Sequence, residues 1–297
     1  MPASNNIFRN IRYFEKGGET TPFLFKGKEY YLLNISPVHE NLPPETPEHA
    51  VIADAENHQW SAPLLEGHYF ISAYSNPQDG LLYCFAPRFS KTASWRWAAQ
   101  DLIWICTEDM KTWSKPQLAI ENYPYGNLIN TCVTFDGSRY VMLLEVRDTG
   151  KPFALRFLES KDLRKWNFID GAYFRNNITY LGAGAIYYIP EQDYYYITYL
   201  TEFTNEATGD LNYATNIARS RDLKTWERGR EPILFPDYSH PIINHPGRFE
   251  INAGDAEFLQ LDGKVRICGC GGDQLGCLDR FTCEYEGTMS ELFARFF

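Results

Sequence analysis

One turn occurs three times in this chain, and it constrains the fold more than any other feature. The copies read Thr107-Glu108-Asp109-Met110-Lys111-Thr112-Trp113, Ser160-Lys161-Asp162-Leu163-Arg164-Lys165-Trp166 and Ser220-Arg221-Asp222-Leu223-Lys224-Thr225-Trp226. The three Asp residues are 53 and 60 positions apart. Each copy follows a short apolar run, at 102–105, 153–157 and 215–218. A repeat of this size that ends in a strand, a polar turn and a Trp predicts a β-propeller blade. The Asp side chain is expected to cap the turn by accepting backbone N–H groups two or three residues on. The Trp then opens the next strand and packs between blades. Three near-identical copies cannot all line one asymmetric site, so these Trp residues read as packing groups.

Hairpins recur around the turn. Phe23-Leu24-Phe25 turns at Lys26-Gly27-Lys28 into Tyr30-Tyr31-Leu32-Leu33, and Asp136-Gly137 and Asp262-Gly263 each join two apolar runs. The pattern divides the chain into five units, roughly 19–62, 66–118, 127–170, 180–230 and 251–285. The first four end near Trp60, Trp113, Trp166 and Trp226. The fifth is one strand short, and residues 6–13 are expected to supply that strand and close the ring. Residues 1–297 thus read as one all-β domain, a five-bladed β-propeller. No stretch has helical periodicity. Long loops are expected at 36–58, 75–98, 203–213 and 235–250, and loops of such length are usually functional.

The net charge of −10, with no basic block, argues against a nucleic-acid partner. No apolar run approaches the roughly 20 residues of a membrane span, so no membrane partner is expected. Residues 1–10 are polar and carry no signal-peptide core, from which a cytoplasmic location is expected. The seven cysteines form no disulfide framework. Cys268, Cys270 and Cys277 match no zinc spacing, and no cofactor or metal is called for.

Connectivity sorts the polar residues. In a four-stranded antiparallel blade, the start of the first strand and the end of the second lie on one face of the disc. The Asp-Leu-x-x-Trp turn, between the third and fourth strands, lies on the opposite face. The first set comprises Glu19, Asn34, Asn130, Glu145, Glu202, Asn252, Asp255, Asp273 and Gln274. Carboxylates that converge at one mouth of a ring of strands are candidates for general acid and base work.

The Ser-x-Asp-Leu-x-x-Trp turns, the Gly27-Lys28-Glu29-Tyr30-Tyr31 hairpin and the run from Asn252-Ala253-Gly254-Asp255 to Gly271-Gly272-Asp273-Gln274 resemble the five-bladed propeller glycosidases of families 43, 32, 117 and 130. The resemblance spans nearly the whole chain and implies a carbohydrate substrate. It does not extend to the family 43 catalytic residues. That family's base is an Asp opening the first blade, where this chain has Glu19. Its acid is a Glu opening a middle blade, where the chain reads Asn130-Thr131-Cys132 and Gly182-Ala183-Gly184.

The expected activity is therefore glycoside hydrolysis by a differently placed carboxylate pair, one protonated to serve the leaving oxygen and one ionised. Glu145 or Glu202 is the expected acid and Asp255 the expected base, kept ionised by Arg248, with Glu19 next in line. Asn130, Arg88, Trp97, Tyr125, His245, Arg248, Asn252, Asp273 and Gln274 are the candidate substrate-binding residues, since aromatic faces, amides and guanidinium groups suit a hydroxylated ring. Two alternatives stay open: a phosphorylase of the family 130 type, which needs a cationic cluster beside the carboxylates, and a sugar-binding propeller without turnover.

Overall fold

A computed structural model describes residues 7–40, 42–148, 152–175, 180–243, 245, 247–274 and 277–297. Strand β1 (Arg9–Lys16) precedes a sheet made of β2 (Thr20–Phe25), β3 (Lys28–Ile35) and β4 (His49–Asp54). A second sheet holds β5 (Ser72–Ser75), β6 (Leu82–Phe89), β7 (Ala99–Thr107) and β8 (Gln117–Ile120). A third holds β9 (Gly126–Phe135), β10 (Tyr140–Asp148), β11 (Ala154–Ser160) and β12 (Asn167–Arg175). The largest sheet contains β13 (Leu181–Ile189), β14 (Tyr194–Thr204), β15 (Leu211–Ser220), β16 (Glu227–Arg228), β17 (Asn252–Leu261), β18 (Lys264–Cys270) and β19 (Asp279–Glu286). Its order is β1-β19-β18-β17-β15-β14-β13, with β16 on β15. The link between β15 and β17 is narrow and parallel: Tyr213 pairs with Asn252, and Ala214 with Ala253.

The three repeated turns have the expected chemistry. Asp109 Oδ1 accepts from the N–H groups of Lys111 and Thr112, each at 2.8 Å. Asp162 Oδ1 takes those of Arg164 and Lys165, and Asp222 Oδ1 those of Lys224 and Thr225. The sharp corner puts Met110, Leu163 and Leu223 at φ of 58°, 64° and 62°. Such angles cost a side chain about 1 kcal/mol or more, which the caps help offset. Trp166 and Trp226 return their indole N–H to the carbonyls of Leu163 and Leu223.

The core lies between neighbouring sheets. Phe23, Leu32 and Ile52 pack on Leu82, Cys84 and Ile105; Phe85 and Trp104 pack on Leu128, Met142 and Trp166. Leu143 and Phe157 meet Ile186 and Ile197, with Trp226 against them, and Tyr196 and Ile217 meet Phe258 and Ile267.

Several expectations need correction. Loops 36–58 and 75–98 contain β4 and β6, whose apolar cores His49-Ala50-Val51-Ile52 and Leu82-Tyr83-Cys84-Phe85 are short and flanked by turn-forming residues. In the first unit, isolated bridges from Ala50 to Leu64 and from Ala53 to Trp60 stand where a fourth strand was expected. Trp60 is 50% exposed, because no Asp-Leu corner turns it inward. The first strand runs over Arg9–Lys16, displaced along the chain from residues 6–13, and pairs antiparallel with β19; Asn6 lies outside the described residues. Among the described residues there are two short helices, α1 (Pro37–Glu40) and α2 (Met289–Ala294). The second is set by a Thr288/Glu291 capping box and buries Met289, Leu292 and Phe293.

Candidate active site

Three strands carry the same irregularity at the same place. In β9, residues 129–130 stand opposite Glu145 alone; in β13, residues 183–184 stand opposite Tyr199; in β17, residues 255–256 stand opposite Gly269. A β-bulge of this kind bends a strand and re-aims the extra side chain. Ala183 and Asp255 take left-handed φ angles of 47° and 50° at these points. The bulges turn Asn130, Ala183 and Asp255 toward one cavity, which is also lined by Glu145 from the second half of β10 and by Glu19 just before β2.

This cavity encloses about 210 Å³. Its polar side is Glu19, Asn130, Glu145, Asp255 and Gln274, and its aromatic side includes Tyr69, Trp95, Trp97, Phe153 and Tyr180. Asn130 Nδ2 donates to Glu19 Oε1 and to Glu145 Oε2, at 3.1 Å each. Two bonds of 3.1 Å to one nitrogen hold those oxygens within 6.2 Å of each other. Glu145 Oε2 also accepts the backbone N–H of Ala183 at 2.7 Å. Asp255 Oδ2 accepts from the Cys270 thiol. Glu257, which shares a second cavity with Glu19, Asn130 and Asp255, accepts from Thr21 at 2.8 Å.

Charge is disfavoured here, and burial shifts the carboxyls toward their protonated forms. Burial pushes Glu145 up to about 7, opposed by its bonds from Ala183 and Asn130. Burial also raises Glu19 well above the usual carboxylate range, with Asp255 adding to the effect. Asp255 is raised by burial and lowered by Cys270. Glu257 reaches about 8 for the same first reason. Each follows the rule that low dielectric disfavours the charged form.

The aromatic wall is anchored. Trp97 donates to Glu48 Oε1 at 3.0 Å and stacks near-parallel on Tyr69, with centroids 5.9 Å apart. Tyr69 in turn contacts His39 Nδ1 at 2.9 Å. Burial lowers His39 to about 4, which favours the neutral ring. Gly17 packs against Arg280. Its φ is 134°, and a Cβ there would stand 2.2 Å from the buried guanidinium of Arg280.

Other candidates lie elsewhere. Glu202 does not line the cavity; it accepts from Tyr180 N at 3.3 Å, because it sits beyond the bulge that carries Ala183. Arg248 pairs with Asp273 at 3.2 Å, so the expected Arg248–Asp255 pair is replaced by this one. Arg88 is held by Asp101, and Tyr125 is 55% exposed beside Arg156. His245 contacts Cys277 at 3.2 Å, and Asn252 donates to the carbonyls of Cys270 and Gly271. No Lys or Arg is among the described residues lining the cavity, while Arg147 lies over the rings of Trp95 and Phe153. Sequence reasoning passed over Tyr69, Phe153, Tyr180, Ala183 and Glu257 as site residues. The apolar runs around Tyr69 and Glu257 read as ordinary strands.

Solved structures share this all-β fold. Among solved structures, a glycoside hydrolase superimposes with a TM-score of 0.64 at 12% identity, covering 95% of this chain and 91% of its own. The catalytic domain of the Coprinopsis cinerea GH62 alpha-L-arabinofuranosidase gives a TM-score of 0.62 at 10% identity, covering 92% and 91%. An N-acetylgalactosamine deacetylase from F. plautii, in complex with blood group B trisaccharide, gives 0.61 at 10%, covering 98% and 93%. At these identities the likeness is one of fold. No family model matches the chain, and no curated protein matches it by sequence.

Proposed function

We propose that this protein is a glycoside hydrolase built as a single five-bladed propeller, with Glu145 as general acid and Asp255 as its ionised partner. The fold reading rests on the narrow β15–β17 link. Cut there, the largest sheet becomes two antiparallel blades, the second completed by β1, and the total is five. The reading of activity is carried by one observation: Glu19, Glu145 and Asp255 share one cavity with a wall of Trp and Tyr rings.

Glu145 delivers its proton to the glycosidic oxygen as the C–O bond breaks. Its value of about 7 leaves it substantially protonated near neutral pH. Asp255 either takes a proton from the attacking water or itself bonds to the anomeric carbon. Asn130, shared between Glu19 and Glu145, keeps the two carboxyls oriented. The rings of Trp95, Trp97 and Tyr69 offer faces to the sugar.

The test pairs two substrates. With an alkyl or sugar leaving group, Glu145→Gln should lose roughly 100- to 10,000-fold in kcat/KM. With a dinitrophenyl leaving group, which departs without a proton, most of that loss should disappear. Equal loss on both substrates would remove Glu145 from the acid role. The anomeric configuration of the first product, read by NMR, separates the two roles of Asp255. A second reading, sugar binding without turnover, draws on Ala183 at the opening where related glycosidases carry their acid. It predicts oligosaccharide binding with no product.

A further inference from the structure

Away from the cavity, the segment between β16 and β17 folds back on itself. Pro241 bridges to Phe249, Ile242 N donates to Arg248 O, and Glu250 N donates to His240 O at 3.0 Å. This brings the side chains of His240 and Glu250 together beside Asp279, the first residue of β19. One donor atom from each of the three lies within 4.8 Å of the other two. Glu250 and Asp279 are 0% and 1% exposed. The arrangement is held from several sides. Tyr13 of β1 stacks on the His240 ring, with centroids 3.7 Å apart and planes at 9°. Gly272 N donates to Glu250 Oε2, and Ile243 N donates to Asp279 Oδ2 at 2.6 Å.

Two atoms in this cluster lack what buried polar atoms need. His240 Nε2 and Glu250 Oε1 are shielded from solvent and, among the described residues, no donor outside the cluster pairs with either; Glu250 meets the second carboxyl, Asp279. A buried polar group without a partner is costly, and two such groups beside a second buried carboxylate are unusual in a native fold. A divalent cation removes the deficit at once: it takes a lone pair from the imidazole and offsets the two carboxylates.

We propose that His240, Glu250 and Asp279 form a binding site for a single zinc-class divalent ion, separate from the carboxylate-lined cavity. The donor set selects the ion. One imidazole nitrogen and two carboxylates suit Zn²⁺, which takes three protein ligands and a water in tetrahedral geometry. Ca²⁺ requires six to eight oxygens, which three side chains do not provide. Ligands at about 2.1 Å around a tetrahedral ion stand roughly 3.4 Å apart, so inward movement of little more than an ångström closes the site. The three donors come from 240, 250 and 279, at spacings that match no short motif, which is why the sequence gives no sign of a metal.

The site has a structural reach. It ties the 237–250 segment to β19 and, through Tyr13, to β1. Through Glu250 it holds Gly272, two residues before Gln274 of the cavity.

Chelator-treated protein, titrated with ZnCl₂ by calorimetry and assayed for bound metal, provides the test. One Zn²⁺ per chain is expected, with the melting temperature raised by roughly 5 °C in a hundredfold excess over Kd. Glu250→Gln and His240→Gln should abolish that stoichiometric binding and its thermal shift. Cys277→Ser, which alters the neighbouring His245–Cys277 contact, should leave both intact. Wild-type protein that takes up no zinc overturns the proposal. So does loss of binding in Cys277→Ser with retention in Glu250→Gln. If the two ligand variants fold poorly, the wild-type titration still decides.

Discussion

The backbone N–H of Ala183 donates a 2.7 Å hydrogen bond to the carboxylate of Glu145, across from one strand group to the next. Ala183 stands at the bulge near the start of β13, and Glu145 lies three residues before the end of β10. A carboxyl buried in this way needs such donors, because the cavity supplies no cation among its described lining residues. The bond also fixes which oxygen is free to face a substrate.

Two glutamates near the mouth should behave differently when replaced. Glu145→Gln is expected to cut turnover by roughly 100- to 10,000-fold. Glu202→Gln should stay near wild type, since Glu202 lies outside the cavity lining. Kinetics on a common aryl glycoside, with melting temperatures as a folding control, checks the pair.

The pH dependence has a definite sign. Glu145 stands at about 7 when folded, against an ordinary 4.5, because burial penalises its charge. Its folded pKa is raised, so the stability linked to its protonated form is fully present below about 4.5 and is lost as pH rises through about 7. The size is on the order of 3 kcal/mol. Chemical denaturation of wild type and Glu145→Gln across pH 4 to 8 should show this part of the slope vanish in the variant. Activity should fall on the alkaline side, as the acid loses its proton.

Replacing a turn Asp should harm stability and spare the site. Asp162→Ala removes the acceptor of two N–H groups and should cost about 1–3 kcal/mol. The turn follows Ser160, which pairs with Tyr140, while Glu145 pairs with Leu155 toward the other end of the same two strands. KM and kcat measured well below the melting transition should therefore be unchanged.

Removing β1 should be far more damaging than its exposed residues suggest. A chain starting at Gly17 loses the pairing from Arg9–Glu284 to Lys16–Asp279, leaving β19 as an open edge. It also loses Tyr13 from Phe281 and His240. A large drop in melting temperature is expected, with association visible by light scattering.

The repeated Asp-Leu-x-x-Trp turn made most of the strand architecture legible, because its hydrogen bonds are local and its spacing is written in the chain. The Asp-Gly hairpins were legible for the same reason. Strands β4 and β6 were not, since their apolar cores are short and lie among Pro, Gly and Asn residues that read as loop. In the site, Glu145, Asp255 and Glu19 could be named from strand ends alone. Glu202 could not be separated from them, because one bulged residue in β13 decides which strand end reaches the cavity. Bulges leave no reliable mark in a single sequence: Gly182-Ala183-Gly184 and Gly254-Asp255-Ala256 look like flexible strand starts. The Arg248–Asp273 pairing was hidden for a related reason, as it depends on how the 237–250 segment folds back.

The contact between Ala183 and Glu145 carries a wider lesson about address and location. Neighbouring strand ends in this architecture converge so closely that a functional group can be housed by either one. The carboxyl at 145 touches the peptide of residue 183, some forty positions along the chain. Aligned columns alone would not register that meeting. Ancestry traced through such proteins is better followed by where atoms meet than by which residue numbers persist.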